Sequence, residues 1–437
     1  MILTHHTGEP HALLGPQVAA TFLSQRLSMP SMVIGIQRNF SKEKLFDFLK
    51  ESYSGKERVV AFSHLCARKD LLELAQELKN QGFFTILAGP QARTDYFGEP
   101  ETDLYPHRFP GLRESIDFVF QGPIDYFKLE GLPGSGRVLD FPWSRDIFLD
   151  VDWSNLYTFS DGINKPEIKI GQVLNAVGCP YARTAGNILL PPPASLRESG
   201  IPEIAVRSEG CIFCDVARDK GYHGAVSKEA LLAQISNLPV VDGKKIPFEL
   251  IDEYPIQTLA TLLDDAPKHR IRLSQINLVC RADEINRQAR ALAEVLSSAR
   301  SQDIRILFAS IGFESFSDRL LQYFSKGITV AENIKCIETL RRLKDLFRDH
   351  LFYRRDEGAH HGFIRPTPWD DGETLREMDG NIFLHRLFDD VLPEQSTPLI
   401  IHHASFLGDW LRRIEATSRI AFPRDGTWIE WWRPFPR

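Results

Sequence analysis

With 437 residues, 43% of them hydrophobic, the chain is long enough to bury more than one core, and two or three domains are expected. Charged residues make up 25%, as in ordinary globular proteins, and the net charge of −6 disfavours nucleic acid, whose phosphates need Lys and Arg to neutralise them. No run approaches the ~20 apolar residues of a membrane span, and the start Met-Ile-Leu-Thr-His-His lacks a basic stretch followed by an apolar one, so a cytoplasmic location is expected.

Residues 32–36 read as a buried strand, and Ser41 caps a helix on which Leu45, Phe46, Phe48 and Leu49 recur at helical spacing. A second strand spans 59–63. It is followed by a helix with Leu71, Leu74, Ala75 and Leu78 on one side and Gly82 as its stop signal. The strand at 84–88 ends at Gly89-Pro90, and that at 117–120 ends at Gly122-Pro123. Strand–helix repetition with short connections predicts an α/β domain over 1–132, a doubly wound parallel sheet with helices on both faces. Ligands of such sheets sit at the carboxyl ends of the strands, where Ser63, Gly89 and Gly122 fall. The stretch 133–165 has Pro, Gly, Asp and Ser without a period and reads as a linker.

Alternation resumes at 166. Strands are predicted at 168–174, 247–251, 271–278, 304–311 and 362–364, with one more at 398–402. Helices fall near 227–237, 256–263, 283–299, 318–324 and 330–346. Such repeats predict a partial or full (β/α) barrel over 166–375, interrupted by an irregular insertion at 180–210, with its chemistry at the carboxyl rim. Lys and Arg at 341–355 alternate with Asp345 and Asp349, as on a solvated helix face. Residues 376–437 form a C-terminal segment whose aromatic end (Trp428, Trp431, Trp432, Phe435) is expected to pack onto the barrel.

Six cysteines in a reducing compartment are available as ligands rather than disulfides. Cys66, Cys280 and Cys336 lie inside apolar patterns and read as small core residues. The pair Cys211-Ile-Phe-Cys214 sets two thiols one short turn apart, a spacing used by zinc ribbons, redox pairs and iron–sulfur clusters alike. A zinc site would want a second close pair, which the chain lacks, and a thioredoxin-like pair would open a helix just after a strand in a small domain. Cys179, after a predicted strand, is the remaining candidate for a third ligand. The doublets His360-His361 and His402-His403 lie in or beside strands and should point to opposite faces, which is poor geometry for one metal. Tyr222 and His223 follow the cysteine pair and are placed on a substrate side.

At these residues the chain resembles the radical S-adenosylmethionine superfamily. Gly-Cys-Pro-Tyr at 178–181 is similar to the opening of that family's cysteine loop, and Glu-Gly-Cys-Ile-Phe-Cys-Asp at 209–215 to its close. Family members have three residues between the first two cysteines, whereas this chain has 31. Val-Cys-Arg-Ala-Asp-Glu at 279–284, Ile-Gly-Phe-Glu-Ser at 311–315, Lys-Gly-Ile-Thr at 326–329 and Gly-Phe-Ile-Arg-Pro-Thr-Pro-Trp at 362–369 resemble later family segments, in family order. The N-terminal domain resembles the cobalamin-binding domain fused ahead of this barrel. Residues 86–94 are similar to its Gly-Gly-Pro-His-Ala-Thr turn and residues 117–125 to its Asp-x-Val-x-x-Gly-Glu-Gly-Glu segment, with Ala88, Gln91 and Pro123 replacing the usual Gly, His and Glu. No Asp-x-His-x-x-Gly motif offers a lower cobalt ligand.

The resemblance implies a 4Fe–4S cluster on Cys179, Cys211 and Cys214, with one iron left for S-adenosylmethionine. It implies that Glu314 and Ser315 touch that cosubstrate and that Asp252 or Glu253 meets its amino group. Arg281 is assigned either to a carboxylate, which a guanidinium grips bidentately, or to an ion pair with Asp283. Cobalamin is implied along Ser63, Gly89 and Gly122, on an edge facing the barrel rim. The implied reaction is reductive cleavage to a 5′-deoxyadenosyl radical, followed by methyl transfer to an unactivated carbon. Cobalamin-independent cyclisation or rearrangement, or a non-catalytic iron–sulfur electron carrier, are the alternatives. Implied partners are a small-molecule or peptide substrate and an electron donor such as flavodoxin or ferredoxin, without nucleic acid or membrane.

Overall fold

The computed structural model describes residues 1–54, 57–63, 68–128, 136–214, 221–391 and 396–436. Two compact units divide the chain. One is Met1–Gln172 with Arg424–Trp428, and the other is Val173–Pro423 with Ile429–Arg437.

The first unit is built on β1 (Ile2–His5), β2 (Val33–Ile36), β3 (Val59–Ser63), β4 (Phe84–Ala88), β5 (Phe118–Gln121), β6 (Arg137–Asp140), β7 (Leu156–Phe159) and β8 (Ile163–Asn164). Among the described residues these form one sheet in the order β6-β5-β4-β3-β1-β2-β7-β8, parallel except for the final β7–β8 pair. Both faces are apolar, and the two-residue period of a strand assigns the side chains. Leu3, Ile34, Ile36, Val60, Phe62, Leu87 and Val119 pack with helices Lys42–Ser52 and Lys69–Asn80. Their neighbours Ile2 and Val33 meet Ala20 of helix Leu14–Arg26, and Ile86, Phe118 and Phe120 gather around Phe127. Ser41 caps its helix as expected, its side chain accepting from the Lys44 amide.

Two expectations change here. Residues 2–5 form a strand that their short Ile-Leu-Thr run did not announce. The stretch read as a linker supplies β6, β7 and β8, so the unit runs on to Gln172 instead of ending at 132. Strands of four residues or fewer between prolines carry too little period to be seen without their partners.

The second unit contains β9 (Gly171–Leu174), β10 (Ala176–Gly178), β11 (Ala185–Leu190), β12 (Ile204–Glu209), β13 (Tyr222–Ala225), a short hairpin of β14 (Val240–Val241) and β15 (Lys244–Lys245), β16 (Phe248–Ile251), β17 (Gln275–Arg281), β18 (Arg305–Gly312), β19 (Leu351–Phe352), β20 (Phe363–Ile364) and β21 (Ser396–Thr397). The main sheet has the order β9-β16-β17-β18-β19, with β16, β17, β18 and β19 parallel. Helix Pro255–Asp265 links β16 to β17, helices Ala282–Arg287 and Ala289–Ser301 link β17 to β18, and Asp318–Tyr323 and Val330–Leu346 link β18 to β19. A parallel bridge between Glu314 and Phe363 joins the end of β18 to the parallel pair β20–β21. Among the described residues the five-stranded sheet is open at both edges.

Thr329 and Glu332 make a reciprocal capping box that starts the long helix Val330–Leu346. Cys280 and Cys336 are buried in the core, as expected, while Cys66 lies outside the described residues. Among the described residues, no helix is long and apolar enough to cross a membrane.

Candidate functional site

The 180–210 insertion is an antiparallel hairpin, not an irregular loop. β11 and β12 run in register from Ala185 opposite Glu209 to Leu190 opposite Ile204. Its base is closed by the Gly210 amide donating to the Thr184 carbonyl at 2.9 Å. A hairpin returns to where it left, so the long sequence gap costs little distance, and Cys211 comes back beside the Cys179 turn. Cys211 is close enough for its charge to act on the Cys179 thiol, which burial, then Glu253, push up to about 11. The Cys214 amide donates to the Cys211 carbonyl at 3.1 Å, which closes the short turn of the pair.

Cys179 is held from its other side. Its amide donates to the Gly221 carbonyl at 3.0 Å, and β10 pairs with β13 just before it. Gly178 adopts φ +82°, and a Cβ there would lie 1.9 Å from the Gly221 oxygen, so only glycine fits. Gly210, at φ +73°, turns the chain into Cys211 against the Tyr181 carbonyl.

Behind Cys211 stand two cations. Arg281, at the carboxyl end of β17, has Nη1 3.6 Å from the Cys211 Sγ, Nη2 donating to the Lys326 carbonyl at 2.7 Å and Nε paired with Asp283 at 2.9 Å. Its guanidinium covers the Tyr181 ring at 4.0 Å. Lys326 is buried, with Nζ 2.8 Å from Glu314 Oε1. Burial pushes the Cys211 thiol up, and Lys326 and Arg281 oppose it. Three thiols on two adjoining turns, backed by buried cations, make a donor set that fits a thiolate-bound cluster.

Around them the strand ends supply carboxylates. Glu314 lies beyond β18 at φ +59°, a conformation that a non-glycine residue holds only where its surroundings enforce it. The Ile364 amide fixes its carbonyl at 2.9 Å. Gly312 makes room for the pair, because a Cβ there would meet Lys326 Nζ at 2.7 Å. Burial raises the Glu253 carboxyl, within the influence of Lys326, Arg281 and Glu314.

No protein-family model and no curated protein sequence matches the chain. Among solved structures, the apo, selenomethionine-labelled cobalamin-dependent S-adenosylmethionine radical enzyme OxsB matches with a TM-score of 0.54 and 13% identity, covering 98% of this chain and 63% of that one. The same enzyme with aqua-cobalamin bound gives 0.53 and 14%, with the same coverage. The chain shares its fold with this enzyme. It spans 63% of the length of the matched structures.

On this fold the remaining expected residues divide. Cys179, Cys211, Arg281, Glu253 and Glu314 come together. Ser315 instead closes its turn: it is buried, its Oγ accepts from the Ser317 amide and its carbonyl accepts from Asn333 Nδ2. Asp252 is consumed locally by Asn175, Thr258 and the Tyr254 amide. Each of the three Arg281 nitrogens contacts a protein group, and the Asp283 ion pair is realised. Tyr222 lies under Arg183, and His223 is exposed.

His361 is a core residue with Nδ1 accepting from the Ile311 amide and Nε2 against the Tyr353 carbonyl, and burial pushes it down to about 4. At 402–403 the expectation of opposite faces fails. The segment is not a strand, and the two rings lie 4.6 Å apart. Lys326 and Tyr181 join the site without a role predicted for either; the signal for them is their place in the segments 326–329 and 178–181.

In the first unit, Ser63, Gly89 and Gly122 stand at the carboxyl ends of adjacent parallel strands. The order β2-β1-β3-β4-β5 reverses direction between β1 and β3, the point where sheets of this order bind ligands. Ser63 sits there, its carbonyl accepting from Thr4 Oγ1 at 2.8 Å. Arg68 caps the ends of β1 and β2 through His5 Nδ1 and the Ile36 carbonyl. Gly89, at φ +123°, follows β4. Gly122 is glycine for another reason: a Cβ there would meet the Phe141 carbonyl at 2.7 Å.

Proposed function

We propose that the chain is a radical S-adenosylmethionine enzyme of the cobalamin-binding branch, with Cys179, Cys211 and Cys214 as cluster ligands. The observation that carries this reading is the hairpin, which reconciles a 31-residue gap with a three-thiol site at the carboxyl ends of β16, β17 and β18. A 4Fe–4S cluster held there supplies the one electron that cleaves S-adenosylmethionine to methionine and a 5′-deoxyadenosyl radical. The chain's own groups do the rest. Glu253, whose charge acts on the Cys179 thiol, is the carboxylate for the cosubstrate amino group. The Glu314 backbone, pinned by Ile364, shapes the rim. Phe213 against Phe324 and Tyr181 under Arg281 keep water from the thiols.

Cobalamin, in this reading, lies over Ser63 and Gly89 and supplies a methyl group to an unactivated carbon of a small-molecule or peptide substrate. The sheet order and the cobalamin-bound OxsB neighbour support it. A one-electron donor such as flavodoxin or ferredoxin is the expected partner.

Anaerobically reconstituted protein should carry about four irons per chain. Cys211→Ala or Cys214→Ala should abolish both the broad visible absorbance and release of 5′-deoxyadenosine. Full release by either variant removes the central claim. After incubation with hydroxocobalamin and desalting, about one cobalamin per chain should remain, set by the single switch point of the sheet. None retained would turn the reading to cobalamin-independent radical chemistry.

A further inference from the structure

We infer that Arg281 and Lys326 are positioning residues that set the reduction potential of the proposed cluster, by holding two buried cations against the side that Cys211 ligates. This rests on the cluster reading above and goes beyond it.

The asymmetry of the site carries the argument. The Arg281 Nη1 approaches the Cys211 sulfur at 3.6 Å, and the side chain is only 5% exposed. Lys326 is 6% exposed, and its carbonyl is bonded to the same guanidinium, so the two cations form one block behind one sulfur. Their counter-ions are Asp283 on the Arg281 Nε, shared with the exposed Arg287, and Glu314 on the Lys326 Nζ. Near Cys179 the larger neighbouring charge is instead the carboxylate of Glu253, with Arg281 opposing it more weakly.

A site of three thiolates becomes one charge more negative when it takes up an electron. Fixed cations beside a sulfur therefore favour the reduced form, and screening is weak where water is excluded. Arg281 and Lys326 push the potential up and Glu314 pulls it down. The electron comes from a one-electron donor protein, and the charge it adds is the charge these residues compensate. Arg281 also stacks on Tyr181, whose hydroxyl donates to the Ser325 carbonyl at 3.1 Å, so the block is rigidly tied to the cysteine turn.

The test uses the full chain, reconstituted anaerobically, with iron content measured and the reduced-cluster electron paramagnetic resonance signal titrated against a poised potential. Arg281→Met and Lys326→Met should each keep their iron and move the midpoint negative by about a tenfold change in the reduction equilibrium, about 59 mV for one electron. Glu314→Gln should move it positive, and Arg281→Lys should return it towards the wild-type value. Equal midpoints in iron-loaded variants would overturn the inference. So would iron loss from all of them, because the cations would then serve assembly alone. A wild-type chain that takes up no cluster would overturn the cluster reading and this inference together.

Discussion

Glu284 shows how a residue one turn from the site can be legible in a motif and still have its chemistry hidden. Its side chain is fully buried, accepting from the Ile256 amide at 3.1 Å and from the Cys280 thiol at 3.1 Å. Burial raises its carboxyl from the ordinary 4.5 to about 7, and those hydrogen bonds only partly offset the rise. A folded state that holds a proton more tightly than the unfolded chain loses stability as pH rises. Unfolding free energy should therefore fall between pH 4.5 and 7, by at most about 3 kcal/mol from this group. Glu284→Gln should remove that slope, so the variant gains on the wild type across the window and keeps a constant lead above pH 7. Urea unfolding from pH 4.5 to 8 measures it; a parallel pH profile for the two proteins would refute the assignment.

Among the elements, the β11–β12 hairpin separates two roles that the sequence ran together. Its base sets the distance between Cys179 and Cys211, and its far end is a buttress. The Trp369 Nε1 donates to the Pro191 carbonyl at 3.1 Å, Arg197 pairs with Asp371 at 2.7 Å and Arg413 reaches the Ala205 carbonyl at 2.7 Å. Leu190, Leu196 and Val206 are buried, each worth about 2 kcal/mol relative to exposure. Replacing residues 185–209 by Asn-Gly, a two-residue hairpin turn, keeps the ends together. The shortened chain should bind its full iron complement and unfold at a lower temperature. Iron analysis and calorimetry check this pair of outcomes, and loss of iron with an unchanged melting temperature would reverse the assigned roles.

At the scale of the whole molecule, the chain returns to its first unit near its end. Arg424 pairs with Glu99 through two 2.8 Å contacts, and their side chains are 4% and 0% exposed. Glu99 also accepts from the Phe109 amide at 2.8 Å. Removing one member of a buried pair strands the other charge. Arg424→Met should therefore destabilise the chain by about 3–5 kcal/mol, and Glu99→Gln added to it should recover a large part. A denaturant double-mutant cycle measures the coupling, and additive effects would show that the pair does not tie the tail down. The aromatic tail is expected on the barrel. Trp431 donates to the Leu399 carbonyl of the second unit at 2.8 Å, whereas Arg424–Trp428 belong to the first.

What the sequence determined by itself is what local periodicity and short motifs encode. The strands at 59–63 and 84–88, the helix cap at Ser41, the buried Cys280 and Cys336, and the strand-end positions of Ser63, Gly89 and Arg281 all follow from patterns a few residues long. Tertiary structure alone decided what depends on partners distant in the chain. β6, β7 and β8 are strands because a sheet edge accepts them, and Gly122 is glycine because Phe141 approaches it. Ser315 is spent on its own turn because Asn333 reaches its carbonyl. Arg281 meets a sulfur 70 residues away because a hairpin brings Cys211 back to the end of β17. Contacts of that separation leave no period in the sequence, since closing a loop constrains only its ends and leaves its interior free to vary.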